Sequence, residues 1–137
     1  MNIRFCSAAL VYDHFGQILL VSNRERTKFL FPKGGIEPGL SPSKNAQKEC
    51  LEETGYTCDS EGFSLGVYEI YKRGIINRVD VIALHSRGEI IQVQHENRVV
   101  TWVSCEKALE MISPYLAPFI LRIQNHIEMC ALHDSRK

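Results

Sequence analysis

The chain has 137 residues, with 16 basic and 16 acidic side chains and a formal net charge of zero at pH 7. This length predicts a single domain over residues 1–137, and the neutral charge argues against a general electrostatic hold on nucleic acid, DNA included. The five cysteines are scattered and form no C-x-x-C pair, which predicts neither a disulfide framework nor a zinc site and fits a reducing cytoplasm. We find no secretion leader and no run of about 18 apolar residues, so we expect no membrane segment.

The N-terminal residues predict a β-hairpin. Residues 3–12 are rich in β-forming apolar types, residues 13–16 read D-H-F-G as a turn, and residues 17–22 return as a second strand. The polar loop that follows contains Arg24 and Arg26. This loop is either a solvated surface segment or a phosphate contact, since it leads directly into a glycine-rich segment.

That glycine-rich segment follows a short predicted strand at residues 29–31. Residues 32–39 read P-K-G-G-I-E-P-G and hold three glycines and two prolines. Such a composition is typical of a loop with fixed bends and a bare backbone that a ligand can approach closely. We therefore expect the backbone at Gly34 and Gly35 to contribute to a binding site.

The next segment predicts a helix over residues 42–54. Ser41 is a suitable N-cap, and Pro42 suits the first helical position, where no amide hydrogen is needed. Gly55 is a suitable stop just after the last turn.

Three carboxylates, Glu49, Glu52 and Glu53, lie near the end of this helix and share one face. Their mutual repulsion and the partial negative charge of the helix C-terminus disfavour this placement in a helix that serves only stability. Mg²⁺ or Mn²⁺ would offset both effects, because these ions prefer oxygen ligands. The alternative is a solvated acidic face, partly neutralised by Lys44 and Lys48. The preceding glycine-rich segment favours a metal–phosphate site.

The two segments together resemble the signature box of the Nudix hydrolases, G-x5-E-x7-R-E-U-x-E-E-x-G-U, where U is a bulky apolar residue. The matching positions are Gly34, Glu49, Glu52, Glu53 and Gly55, with softer apolar matches at Cys50 and Tyr56. Leu40 replaces the first Glu of the pattern, outside the acidic core, and is expected to weaken the site rather than abolish it. Lys48 replaces the Arg and would orient the acids less well, because it lacks a planar fork of donors.

This resemblance implies a metal-dependent hydrolase of nucleoside diphosphates linked to another group. By the resemblance, Glu49, Glu52 and Glu53 ligate Mg²⁺ (or Mn²⁺), one of them or Glu96 serves as the base, and the carbonyl of Gly34 completes the coordination. Lys33 is expected to contact the phosphates of the substrate.

The second half of the chain predicts two further strands, at residues 63–72 and 75–84, joined by a turn at residues 73–74. Asp80 lies within the second of these strands and is directed either to solvent or into the site. Arg78 is a candidate phosphate contact, and surface charge is its alternative role.

A short strand is predicted at residues 89–93, then a polar loop at 94–98 and a strand at 99–103. In the Nudix hydrolases a loop near this place often supplies a further carboxylate, as metal ligand or base. Glu96 is the candidate here, and a plain surface loop is the alternative.

Two helices are predicted at the C-terminal end. Ser104 caps the first, which ends near residue 112, and Pro114 begins the second, which continues to about residue 133. Its apolar residues recur at helical spacing and are expected to pack against the sheet: Leu116, Phe119, Ile120, Ile123 and Ile127.

The order of strands, helix, strands and helices predicts a mixed sheet between helices, an α/β/α sandwich, and the resemblance implies the same fold. The leading hypothesis is a pyrophosphohydrolase of a small nucleotide diphosphate derivative. The entrance F-P-K-G-G-I-E-P-G resembles that of dinucleoside-polyphosphate, diphosphoinositol and RNA 5′-pyrophosphate members, and polyphosphate-bearing nucleotides rank first. The alternative is a Nudix-fold module that binds a nucleotide or an RNA 5′ end with little or no cleavage. A homodimer is a further expectation, because the family is often dimeric.

Overall fold

The computed structural model describes residues 2–59, 62–91 and 98–135, with side chains through residue 133. In chain order the elements are β1 (Asn2–Tyr12), β2 (Ile18–Ser22), β3 (Phe29–Leu30), β4 (Lys33–Gly35), α1 (Pro42–Thr54), β5 (Phe63–Lys72), β6 (Ile75–His85), β7 (Val100–Val103), α2 (Cys105–Met111), a 3₁₀ turn (Pro114–Leu116) and α3 (Ala117–Ser135).

The described strands form one mixed sheet in the order β3-β2-β1-β6-β5, with β4 paired to β1 and β7 paired to β2. Only β1 and β6 run parallel among these pairs. Strand β1 changes partner along one edge: Cys6 to Ala8 pair with β4, whereas Tyr12 pairs with β2. Strand β4 is followed by residues 36–41, which lead into α1.

The sheet is covered by helices on both faces. Because side chains alternate along a strand, Ala9 and Val11 of β1 pack with Ala46 and Cys50 of α1. The intervening residues of β1 face α2 and α3, including Leu10. The predicted α/β fold with a mixed sheet between helices is therefore confirmed.

The apolar stripe of α3 and the turn before it packs against the sheet as expected. Leu116, Phe119, Ile120 and Ile123 are buried, and Ile127 is partly buried beside them. Each fully buried side chain of this size contributes about 1.5–3 kcal/mol through the hydrophobic effect. This stripe therefore anchors the C-terminal helix.

Two expectations need correction. Residues 33–35, expected to lie in a loop, form strand β4, because their backbone finds partners at Cys6, Ser7 and Ala8 of β1. The last helix does not begin at Pro114; a 3₁₀ turn of three residues comes first, and α3 begins at Ala117. Among the helices that the structure describes, none has the length and hydropathy of a membrane span.

Candidate functional site: carboxylates at the end of a helix and a cationic cleft

Helix α1 begins and ends at the capping residues expected from the sequence, Ser41 and Gly55. The Ser41 hydroxyl accepts a hydrogen bond from the Lys44 amide at 3.1 Å, and Pro42 occupies the first turn. Gly55 ends the helix with φ +83°, a conformation that glycine adopts without strain, and its amide donates to the Leu51 carbonyl. The caps set where the helix begins and ends, and so which side chains face the sheet.

Two rows of side chains run along this helix at a spacing of four residues. We call Asn45, Glu49 and Glu53 the inner row, because they face β4 and β1. We call Lys44, Lys48 and Glu52 the outer row. The three predicted metal-binding carboxylates are therefore divided between the rows, with Glu49 and Glu53 inside and Glu52 outside.

Glu53 is the most deeply placed of these carboxylates, with 5% of its surface exposed. It accepts a hydrogen bond from the Lys33 amide at 3.0 Å and one from the Arg98 guanidinium at 3.1 Å. Burial raises the pKa of Glu53 to about 8, the charge of Arg98 opposes this shift, and Glu49 adds to it. Without a further cation, the carboxyl of Glu53 therefore favours its protonated form near neutral pH.

Glu49 lies against the bare backbone of Gly34. A Cβ atom at Gly34 would overlap the Glu49 carboxylate, so any other residue here would make this carboxylate move from its place beside β4. Glu49 also lies close enough to Glu53 to raise the pKa of that carboxyl. Two carboxylates this close share a proton, or they share a cation.

Asn45 completes the inner row, and its role did not follow from the sequence. It is fully buried, and its amide group donates to the Ser7 hydroxyl at 3.0 Å and to the Gly34 carbonyl at 3.4 Å. Its side-chain oxygen accepts from the Glu37 amide at 3.1 Å. One side chain therefore ties α1, β1 and the glycine-rich segment together. The available signal was its position, four residues before Glu49.

The outer row has ordinary surface contacts. Lys48 pairs with Glu52 at 2.7 Å and with Glu37 at 2.9 Å. The bond to Glu52 and then the bond to Glu37 raise the pKa of Lys48. Lys48 thus holds Glu52 away from the inner row. Within residues 2–59, 62–91 and 98–135, no three His, Cys, Asp or Glu side chains gather closely enough to hold a metal ion.

A cleft of about 480 Å³ opens beside Glu53. Its lining includes five cationic side chains, Arg4, Arg24, Lys33, Lys72 and Arg98. The carboxylates in the lining are Glu25 and Glu53, so positive charge predominates. Burial lowers the pKa of Lys33, as expected for an ammonium group held partly out of water.

The predicted substrate contacts do not all reach this cleft. Arg24 and Lys33 line it, whereas Arg26 lies in the same loop with φ +60° and is outside the lining. Arg78 pairs with Glu69 at 2.6 Å and lies over the ring of Phe5. Because strand faces alternate, Arg78 faces away from the side of the sheet that bears the cleft.

Other cleft residues were missed, and one candidate is not described. Arg4, Lys72 and Arg98 belong to three separate strands or strand ends, and sequence alone gave no sign that they converge.

Glu96, the predicted further carboxylate, lies outside the described residues. Asp80 of β6 accepts a hydrogen bond from the Ser64 hydroxyl of the neighbouring strand β5 at 2.5 Å.

The donor chemistry of the inner row suits a hard divalent cation. Two carboxylates in contact and the neighbouring Gly34 carbonyl offer oxygen atoms only, the atoms that Mg²⁺ and Mn²⁺ prefer. Desolvation disfavours charge on Glu53, and a bound cation would restore it. Glu52 is one turn away and paired with Lys48, so it would join only by leaving that pair.

A mixed α/β sheet between helices, with paired carboxylates beside a cationic cleft, defines a domain suited to phosphate-bearing ligands. The chain belongs to the Nudix family, since the family model described as the NUDIX domain matches residues 4–123.

Relatives and solved structures agree with this assignment. The chain is 26% identical to "Nudix hydrolase 13, mitochondrial" of Arabidopsis thaliana over an alignment of 116 residues that covers 77% of this chain and 57% of that protein. It is 34% identical to "Nudix hydrolase 4" of the same plant over 97 residues, covering 69% and 47% of the two chains. The chain thus spans about half the length of these relatives. The fold is similar to that of a C. elegans Ap4A hydrolase in a binary complex, with a TM-score of 0.75, 16% identity and coverage of 91% and 98%.

Proposed function

We propose that this chain is a divalent-cation-dependent pyrophosphohydrolase that cleaves a diphosphate linkage in a nucleotide derivative. The observation that carries the proposal is the contact between the Glu49 and Glu53 carboxyl groups at the edge of a cleft lined by five cations. Carboxylates in contact provide a place for Mg²⁺ or Mn²⁺, and the cations provide a place for phosphate oxygens. A phosphate ligand in the cleft would bring its anhydride linkage next to both.

Glu49, Glu53 and the Gly34 carbonyl would hold the cation. Glu52 would be a further ligand by the sequence pattern, and Glu96 would be a further ligand or the base by the family resemblance. When bound, the cation would offset charge on the phosphates and make water a better nucleophile at neutral pH. Lys33 and Arg24 bind phosphate oxygens and hold the linkage in position. A carboxylate of the inner row accepts the proton of the attacking water, and Asn45 keeps this row in place.

Arg98 can interact with both Glu53 and a bound phosphate. It donates to Glu53 from a position in the cleft lining, so it reaches both the carboxylate and any phosphate beside it. When the cation neutralises Glu53, the positive charge of Arg98 is available to the phosphate. We place it among the substrate-binding residues for this reason.

We rank polyphosphate-bearing nucleotides of the dinucleoside type first among the substrates. The reason is the number of cations in the cleft, which exceeds what one diphosphate group needs. RNA with a 5′ pyrophosphate or triphosphate group is a further candidate substrate.

The test is product release from a panel of diphosphate-linked compounds with Mg²⁺, with Mn²⁺ and with a chelator. The panel includes diadenosine tetraphosphate, ADP-ribose, an oxidised deoxynucleoside triphosphate and a short 5′-triphosphorylated RNA. We expect cleavage of at least one compound with metal and none with chelator. If the chain binds these compounds but cleaves none under any metal condition, it is a binding module and the proposal is wrong.

A further inference from the structure

The cationic surface continues beyond the cleft. A second hollow of about 340 Å³ is lined by Arg4, Lys72, Arg73, Ile75 and Asn77, and we call it the distal hollow. It shares Arg4 and Lys72 with the cleft. Its lining holds three cations and no carboxylate, so positive charge is less compensated here than beside Glu53.

The sheet holds these cations at one place. Arg4 of β1 is in register with Asn77 of β6, and Ile75 of β6 is in register with Lys72 of β5. Arg4 also lies across the bare backbone of Gly35, where an added Cβ atom would stand 2.8 Å from the Arg4 Nη2 atom. The room that Gly35 leaves is therefore used by the Arg4 guanidinium, which lies between the glycine-rich segment and the distal hollow.

The turn between β5 and β6 places the third cation at some cost in stability. Arg73 has φ +54° and Gly74 has φ +78°, the pattern of a two-residue hairpin turn with both central residues in the left-handed region. Asn, Asp and Gly adopt this region easily, whereas a long side chain there is strained. A turn selected only for stability would carry Asn at position 73.

A diphosphate beside Glu53 would be contacted first by Lys33, Arg24 and Arg98 of the cleft. Arg4 and Lys72 are shared with the distal hollow, and Arg73 belongs to that hollow alone. Three like charges at one place repel each other unless an anion lies among them. The distal hollow therefore fits a ligand group that is itself strongly anionic and is joined to the part of the ligand in the cleft.

We propose that the distal hollow is a second phosphate subsite, which takes a phosphate group that the substrate carries beyond the cleaved diphosphate linkage. This inference rests on the proposed function, because it assumes that the cleaved linkage lies beside Glu53. The extra phosphate is either an extension of the polyphosphate chain or a monoester on the linked group. An internal phosphate of a polyphosphate chain carries one negative charge and a phosphate monoester carries up to two, and both present anionic oxygens to Arg4, Lys72 and Arg73.

The first test measures binding without any metal or turnover. Calorimetry follows inorganic tripolyphosphate binding to the full chain in chelator, over a series of salt concentrations, for the wild type, Lys72→Ala and Arg73→Asn. Arg73→Asn removes the cation while Asn still accepts the left-handed conformation. Each variant is expected to bind about tenfold more weakly, as for loss of one charge-assisted hydrogen bond, with a shallower salt dependence.

Arg87→Ala is the matched control, because Arg87 is 73% exposed and pairs with Asp59 outside both hollows. It should bind tripolyphosphate as the wild type does. Melting temperatures check that each variant is folded. If folded Lys72→Ala and Arg73→Asn both bind within about twofold of the wild type, the second subsite does not exist.

The second test distinguishes the two sources of the phosphate. With Mg²⁺, kcat/KM is compared for diadenosine tetraphosphate against ADP-ribose, and for NADPH against NADH, in the same proteins. A fall in the first ratio, carried by KM, identifies an extended chain; a fall in the second identifies a monoester on the linked group. Unchanged ratios in both pairs overturn the inference while leaving the proposed function intact. If the wild type cleaves nothing, the proposed function fails, and the tripolyphosphate titration alone decides the subsite.

Discussion

The inner and outer rows of α1 have the same spacing and each contains a glutamate that the box marks, yet these glutamates differ in environment. In the outer row, Lys48 and Glu52 form an exposed ion pair of a kind that contributes about 0–1 kcal/mol. In the inner row, Glu53 is buried, and its pKa is raised to about 8 because desolvation outweighs its bond to Arg98. The comparison shows that burial, rather than sequence spacing, separates carboxylates suited to chemistry from those that stabilise a surface.

The largest change is expected in kcat, when the carboxylate of Glu53 on the inner row is removed. Glu53→Gln keeps the shape of the side chain and its ability to accept from the Lys33 amide, but it removes the carboxylate. We expect kcat to fall by about 10²–10⁴-fold, as for loss of a general base, with the fold retained. Glu110→Gln, an exposed acid paired with Lys107 on α2, should leave kcat unchanged. Turnover by Glu53→Gln at the wild-type rate would remove Glu53 from the mechanism.

The second prediction concerns the stability that the hydrogen bonds of Asn45 give to the inner row. Asn45→Ala leaves the Ser7 hydroxyl and the Glu37 amide without their partner. We expect the free energy of unfolding, measured in urea, to fall by about 1–3 kcal/mol. Lys44→Ala, on the outer row and exposed, should change it by less than about 0.5 kcal/mol. Equal effects of the two variants would show that the contacts of Asn45 add nothing to the fold.

A third prediction concerns pH and compares the rows directly. The folded-state pKa of Glu53 is raised from its ordinary value of 4.5 to about 8, so between these values the folded protein holds a proton that the unfolded chain has lost. In chelator, stability should therefore fall as pH rises from about 5 to about 8. Thermal melts should show that Glu53→Gln reduces this fall, whereas Glu52→Gln retains it. A slope that is the same in Glu53→Gln and in the wild type would refute the assigned burial effect.

The smallest effect concerns the outer row alone. Lys48→Ala removes two exposed ion pairs, with Glu52 and with Glu37. Unfolding in urea should show a loss of no more than about 1 kcal/mol, and Lys48→Arg should restore it. A loss as large as that of Asn45→Ala would mean that the outer row is also structural.

Much of this arrangement could be predicted from sequence, because local signals determine it. The caps Ser41 and Gly55 have individual signatures, and they fixed α1 over the predicted residues. Strand alternation and the apolar stripe of α3 placed the core. Strand β4 was missed because its pairing depends on Cys6, Ser7 and Ala8, which are distant in sequence.

The site was less predictable, since it depends on contacts between distant residues. The box marked Glu49, Glu52 and Glu53 as equivalent, but only the fold shows that Glu52 turns to Lys48. Arg4 lies near the start of β1, Lys72 at the end of β5 and Arg98 just before β7. These three side chains meet in the cleft only because the fold brings the strand ends together. An isolated basic residue in a strand carries no sign of such convergence.

We infer that the inner row holds a divalent cation, and a titration with Mn²⁺ measures this binding without substrate. Electron paramagnetic resonance of free Mn²⁺, titrated with the wild type, Glu53→Gln and Glu110→Gln, gives the affinity of each without any substrate. We predict that the wild type and Glu110→Gln bind Mn²⁺ equally, and that Glu53→Gln binds at least about tenfold more weakly, a difference of about 1.4 kcal/mol. Equal Mn²⁺ affinity in all three proteins, or no binding by the wild type, would show that the carboxylates of the inner row do not hold the cation.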